Sequence, residues 1–370
     1  MNPIIEKMRK DPEYSRYALP INEDEDFRDA MYFLKDDGTF IFSEGYYHQI
    51  EKPREERIVN SHYFYVPLDP ARKVPKHCIK KFFGLPFENI TRDIMENEPL
   101  DQLYPLQLAR YIELDPTQKE IERPVYGIYK ARVPLTSLVA YFPHRNSLQR
   151  IMEKAGEDLV AGKIKTIAEH TADLLETDIS QLGISGSVSL GTYANPHDLD
   201  FVVYTSTPEI KRIVDFMYTL TDGNEERQVY EFGKYWPIRF WDRVGDERFM
   251  VCPFFSFLDP EEAPLRNFDC EDRGPVVVEA TVADDTFNAV NPTILMLEDV
   301  KVAGKADPEI NRLIIHHGAE RGDWREGNRI RVKGHRVWIR TYRVVEKQRQ
   351  PLDEYIAVME DNLGDVRLAE

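Results

Sequence analysis

Two aspartates one residue apart, Asp198 and Asp200, stand immediately before the apolar run Phe201-Val202-Val203-Tyr204. Side chains alternate along a strand, so these two carboxylates share a face. Like charges so close repel unless a cation sits between them. Paired carboxylates are how proteins hold Mg2+ that also binds substrate phosphates. Upstream, Gly183-Ile184-Ser185-Gly186-Ser187 is small and flexible, which suits a backbone that must approach a ligand closely. Val188 to Leu190 can begin a short helix whose first amides point at that ligand. Asn195-Pro196-His197 reads as a turn. Together these parts make a site for metal-assisted phosphoryl or nucleotidyl transfer, with Gly186 and Ser187 on the phosphates.

Neither part is specific alone; their order and spacing are. Gly186-Ser187, the ten residues 188–197, then Asp198-x-Asp200 between apolar residues resembles the signature of the DNA polymerase β-type nucleotidyltransferase superfamily. The resemblance implies a nucleoside triphosphate substrate, two Mg2+ ions held by Asp198 and Asp200, and transfer of a nucleoside monophosphate to an acceptor hydroxyl. It also implies a third carboxylate on a following strand, acting as general base or positioning the acceptor. In archaeal CCA-adding enzymes that acid precedes a Val-Val-Pro-Cys-like run. The similar run here is Val251-Cys252-Pro253, and Met250 holds the matching position. Asp242 is the substitute third acid; Asp246 and Glu247 read as turn residues. Arg239 is read as a triphosphate contact, with a surface strand arginine as the alternative.

The surrounding chain must position these groups. Residues 147–178 carry an approximate helical stripe, with Gly156 and Gly162 able to divide it. Pro208 starts a further helix whose apolar face is Ile210, Ile213, Val214 and Met217, closed by Asp222-Gly223. YWPIRFW and RFMVCPFFSF read as a hairpin. Before this core, Asp36-Asp37-Gly38 is a hairpin turn between apolar runs, SHYFYV is a strand, and VYGIYKARVPL from Val125 is another. The many Tyr and Phe of this region read as core rather than base-stacking residues, and His48 and His62 as turn or core histidines. Asn22-Glu23-Asp24-Glu25-Asp26 reads as a solvated linker or helix edge.

From Gly274 onward, strands of even length alternate with polar turns, which suggests a small barrel. GDWREGNRIRVKG resembles the pattern that leads into OB-fold strands. The fold class expected is α+β: a polymerase β-like nucleotidyltransferase core of mixed sheet and helices (147–273), an N-terminal α+β domain (1–146) and a C-terminal OB-like β-barrel (274–370). The whole-chain order is similar to a group of archaeal predicted nucleotidyltransferases.

Composition narrows the class. The 370 residues are 31% charged and 42% hydrophobic, with a net charge of −17. No run of eighteen apolar residues occurs, so no membrane helix is expected. Residues 1–14 do not read as a secretory signal. Cys78, Cys252 and Cys270 form no CxxC pair and no zinc spacing, which suits a cytoplasmic location. His316-His317 reads as structural.

A protein clamping nucleic acid over its whole surface would be basic. Here basic charge concentrates between Arg321 and Arg349, where ten Lys/Arg face three acids. Arg329, Arg331 and Lys333 alternate with Ile330 and Val332, placing three positive charges on one strand face. That face is the expected contact for an RNA or DNA end. Two rivals remain. One is a nucleotidyltransferase with a small-molecule or protein acceptor, which an acidic surface would suit. The other, motivated by Met250, is a catalytically degenerate nucleotide- or RNA-binding protein.

Overall fold

The computed structural model describes residues 2–21, 27–47, 49–193 and 198–369. The acidic run 22–26, His48 and the Asn195-Pro196-His197 turn lie outside the described residues.

Helices α1 (Pro3–Met8) and α2 (Tyr14–Tyr17) precede a seven-stranded sheet. Its strands are β1 (Tyr32–Lys35), β2 (Phe40–Ser43), β3 (Ile58–Pro67), β4 (Ile79–Phe82), β5 (Leu85–Asn89), β6 (Ala131–Pro134) and β7 (Leu138–Phe142). The order is β4-β5-β3-β2-β1-β7, with β6 also on β3. Helices α3 (Ile90–Asn97) and α4 (Leu103–Leu114) lie between β5 and β6. The β1–β2 hairpin turns at Gly38 with φ +91°, a conformation glycine adopts without strain. Tyr32, Phe33, Phe40, Tyr63, Phe82 and Phe87 are buried, so the aromatics build the core. The segment from Val125 is not one strand: Val125–Gly127 forms a 3-10 turn and only β6 is extended.

Helices α5 (His144–Lys154) and α6 (Leu159–Leu174) divide at residues 155–158. Asp158 caps α6 by accepting from the Val160 and Ala161 amides, and Gly162 stays inside the helix. There follow β8 (Leu182–Ile184), β9 (Asp198–Leu199), β10 (Phe201–Thr205), α7 (Thr207–Thr221), β11 (Gln228–Glu231), β12 (Lys234–Val244), β13 (Glu247–Val251) and β14 (Phe254–Phe257). They form two sheets, β14-β10-β8 and β11-β12-β13-β9. Ile210, Ile213, Val214 and Met217 bury the inner face of α7. One apolar cluster runs from Tyr32, Phe40 and Phe142 through Ile164 to Phe201 and Phe249. The N-terminal sheet and the central helices therefore share a core.

The last unit is β15 (Phe268–Phe287), β16 (Thr293–Val302), β17 (Lys305–Ala306), β18 (Ile310–Ile315), β19 (Arg329–Val345), β20 (Gln348–Glu360) and β21 (Val366–Leu368). A division at residue 274 falls inside β15, whose pairing with β19 starts at Phe268. Neighbours run β15-β16-β18-β20-β19, and β19 pairs back onto β15. The chain is thus mixed α+β with several sheets. No helix among the described residues is long and apolar enough to cross a membrane.

Candidate active site

Asp198 and Asp200 sit where the two central sheets meet. β9 runs parallel to β13, with Asp198 opposite Met250 and Leu199 opposite Val251. β10 runs antiparallel to β8 and parallel to β14. The strand expected as one piece is broken at Asp200. Leu199 and Phe201 are fully buried in the core, so alternation turns the two carboxylates the other way. Asp198 is exposed and Asp200 half-buried.

The Gly-Ser turn packs directly on Asp200. The Ser185 amide donates to the Asp200 carbonyl at 2.7 Å, and the Ser185 hydroxyl donates to the Ala30 carbonyl at 2.6 Å. Gly186 has φ +60°, and a β-carbon there would lie 2.0 Å from Asp200 Oδ2. Gly186–Leu190 forms a single 3-10 stretch ended by Gly191 in the left-handed region, and no α-helix follows. Ser187 lies half-buried within it.

Two unit charges about 7 Å apart repel by roughly 2 kcal/mol at an effective dielectric near 20. Opposing this, Arg239 of β12, Arg92 of α3 and Lys80 of β4 act on Asp198, in that order of strength. Arg239, a hydrogen bond from the Cys252 thiol and Arg321 act on Asp200. These groups do not fully compensate. Asp198 is still held above the ordinary carboxylate range, first by burial and then by the charge of Asp200. Asp200 is also raised, chiefly by burial. Asp198 is thus exposed at the surface and still close to enough protein to be desolvated.

Tyr32 and Tyr65 close the N-terminal side. Their rings stack at 5.8 Å. Burial comes first in keeping both phenols protonated; after it Tyr65 and then Asp200 act on Tyr32, and Asp200 acts on Tyr65.

Arg239 stands beside the pair, but not as a free surface arginine. Its guanidinium lies 3.8 Å over the Trp236 ring, and Nη1 donates to Glu231 Oε2 at 3.1 Å. Glu231, at the end of β11, is raised by burial and also feels Asp198. It is a further carboxylate that interacts with both aspartates.

Asp242 is not. Trp241 pairs with Met250 and Asp242 with Phe249, so Asp242 faces the helices while Met250 shares the Asp198 face. There its carboxylate meets His170 Nε2 of α6 at 3.1 Å and Arg227 at 3.2 Å. The period of two that placed it on the hairpin also turns it away. Met250 is itself buried, so no carboxylate fills that register position.

The basic stretch changes character on folding. Arg329, Arg331 and Lys333 are exposed, with Ile330 and Val332 buried between them, as alternation requires. Cross-strand acids match much of the charge. Arg331 meets Glu279 at 3.0 Å, and Lys333 lies 3.6 Å from Asp365. Arg325, Arg336, Arg340, Arg343 and Arg349 also have acidic partners. Arg321, the first of the stretch, departs from it. Its guanidinium lies 4.0 Å over Phe254, its buried Nη1 has no hydrogen-bond partner, and its charge reaches Asp200.

Sequence reasoning missed Glu231, Lys80 and Arg92, and read Arg321 only as the start of the basic stretch. No motif or spacing marks them; only tertiary packing brings them to the aspartates. No family model, curated protein or solved structure matches the chain.

Proposed function

We propose that this chain is a Mg2+-dependent nucleotidyltransferase that moves a nucleoside monophosphate from a nucleoside triphosphate to an acceptor hydroxyl. The observation that carries the reading is the under-compensated pair Asp198 and Asp200: Asp200 is seated on Gly186, Arg239 acts on both, and Arg92 and Lys80 act on Asp198. A carboxylate pair with one exposed member suits a hard divalent cation that keeps several waters. The buried Cys252 thiol, raised chiefly by burial, donates a hydrogen bond to Asp200. When bound, Mg2+ neutralises developing charge on the phosphates and the attacking oxygen.

The protein's own groups do the rest. The Gly186-Ser187 turn lets the triphosphate approach the backbone closely. Arg239, fixed by Trp236 and Glu231, contacts the phosphates with Arg92 and Lys80. Glu231 orients Arg239 and stands in for the third acid, which Met250 does not provide. In this reading the central sheets and α5–α7 are a polymerase β-like core, and the ring of β15, β16, β18, β20 and β19 is an OB-like barrel.

The acceptor in this proposal is an RNA 3′ end, held through Arg329, Arg331 and Lys333. Exposed ion pairs such as Arg331–Glu279 are worth about 0–1 kcal/mol, so phosphates can replace the acids. A second reading, a small-molecule or protein acceptor, is favoured by those same acidic partners. Acceptor affinity against salt separates the two, because each phosphate contact steepens the loss. The function itself is tested by nucleotide transfer that requires Mg2+ and is lost in Asp200→Asn.

A further inference from the structure

Away from the aspartate pair, His77, Cys78 and Glu96 bring a ring nitrogen, a sulfur and a carboxylate oxygen within 4.8 Å of one another. His77 and Cys78 end the 3-10 turn Lys76–Cys78 that runs straight into β4, and Glu96 lies in the last turn of α3. His77 Nε2 meets Glu96 Oε2. The other oxygen, Oε1, accepts from Arg92 Nε at 2.6 Å. His77 and Glu96 are exposed and Cys78 is buried, so an ion can enter from solvent and find a shielded sulfur. An exposed His–Glu pair is worth little by itself and does not explain a thiol at the same point. Among the described residues no other group of three such ligands gathers.

We propose that His77, Cys78 and Glu96 form a binding site for a zinc-class divalent cation, separate from the Asp198–Asp200 centre, that fastens the start of β4 to α3. Thiolate, imidazole and carboxylate together are a borderline-soft set that selects Zn2+ over Mg2+. Three protein ligands leave a fourth position for water. On binding, the thiol proton passes to solvent and metal–ligand bonds replace the His77–Glu96 contact. Arg92 then orients Glu96 from outside the coordination sphere. β4 carries Lys80 and α3 carries Arg92, the two cations that reach Asp198 from this side. The ion would therefore set their spacing.

The test is titration of the chelator-treated full chain with Zn2+ and with Co2+. The site predicts one equivalent whose binding brings a thiolate-to-cobalt charge-transfer absorption that zinc displaces. His77→Ala and Cys78→Ser each abolish that absorption, and Arg92→Gln weakens binding by about 10- to 100-fold. Asp200→Asn leaves it intact, which separates this site from an ion beside Asp200 and Cys252. His77 is exposed, so its variant keeps the test valid should Cys78→Ser fail to fold. No stoichiometric binding, or a cobalt absorption that survives His77→Ala, overturns the proposal.

Discussion

A β-carbon on Gly186 would stand 2.0 Å from Oδ2 of Asp200. The glycine of the turn and the second aspartate of the pair are thus one packing unit, with the carboxylate resting on the glycine backbone. Gly186→Ala must strain a left-handed residue and displace the carboxylate at the same time. A decrease of about 1–3 kcal/mol is expected in denaturant unfolding, together with loss of nucleotide transfer. An alanine variant with unchanged stability and activity would mean that the turn does not seat Asp200.

The aspartate pair gives the metal-free protein a specific pH response. Asp198 is raised from 3.8 to about 7 in the fold. A carboxyl raised on folding binds its proton more tightly in the native state. Stability from it is complete below about pH 4 and declines as pH rises towards 7. Thermal unfolding of wild type and Asp198→Asn across this range isolates the effect: the difference should grow with pH in favour of Asn. Mg2+ should offset the decline in wild type only. Parallel curves for the two proteins would contradict an electrostatic origin in Asp198.

Asp242 and Glu231 should behave oppositely. Asp242 holds His170 and Arg227 on the helix face, so Asp242→Asn should cost roughly 1–3 kcal/mol of stability and leave transfer largely intact. Glu231 fixes Arg239. Glu231→Gln should lower transfer on the order of 100-fold through misplacement of the guanidinium, with little change in unfolding. The KM for nucleotide should rise with it, because a positioning role touches substrate binding.

Much of this site was legible in the sequence because its signals are local. Asp198-x-Asp200 ahead of a buried strand, the Gly186 turn, the Gly38 hairpin and the apolar face of α7 each follow from nearest-neighbour geometry. What was not legible comes from elements far apart in the chain. Lys80 and Arg92 precede the aspartates by more than a hundred residues, and Arg321 follows them at similar range. The same distance hid the acids that face the basic strand: Glu279 meets Arg331 only because β15 pairs with β19. Asp242 misled for a simpler reason, since strand alternation gives two faces and the sequence does not say which one holds the site.

The acceptor surface yields its own test. If an RNA end lies on β19, replacing Arg331 and Lys333 with alanine should weaken RNA binding. The slope of log affinity against log salt should fall by about 1 for each phosphate that no longer meets a cation. Unchanged slopes would move the acceptor to the small-molecule or protein class.

Turnover decides whether the aspartate pair is catalytic. The purified chain is incubated with Mg2+, each labelled nucleoside triphosphate and a mixed small-RNA pool, and products are resolved at single-nucleotide length. Wild type should release pyrophosphate and yield a labelled, extended product, and Asp200→Asn should do neither. Transfer by Asp200→Asn at the wild-type rate, or no turnover of any triphosphate with any acceptor class, would contradict a nucleotidyltransferase built on Asp198 and Asp200.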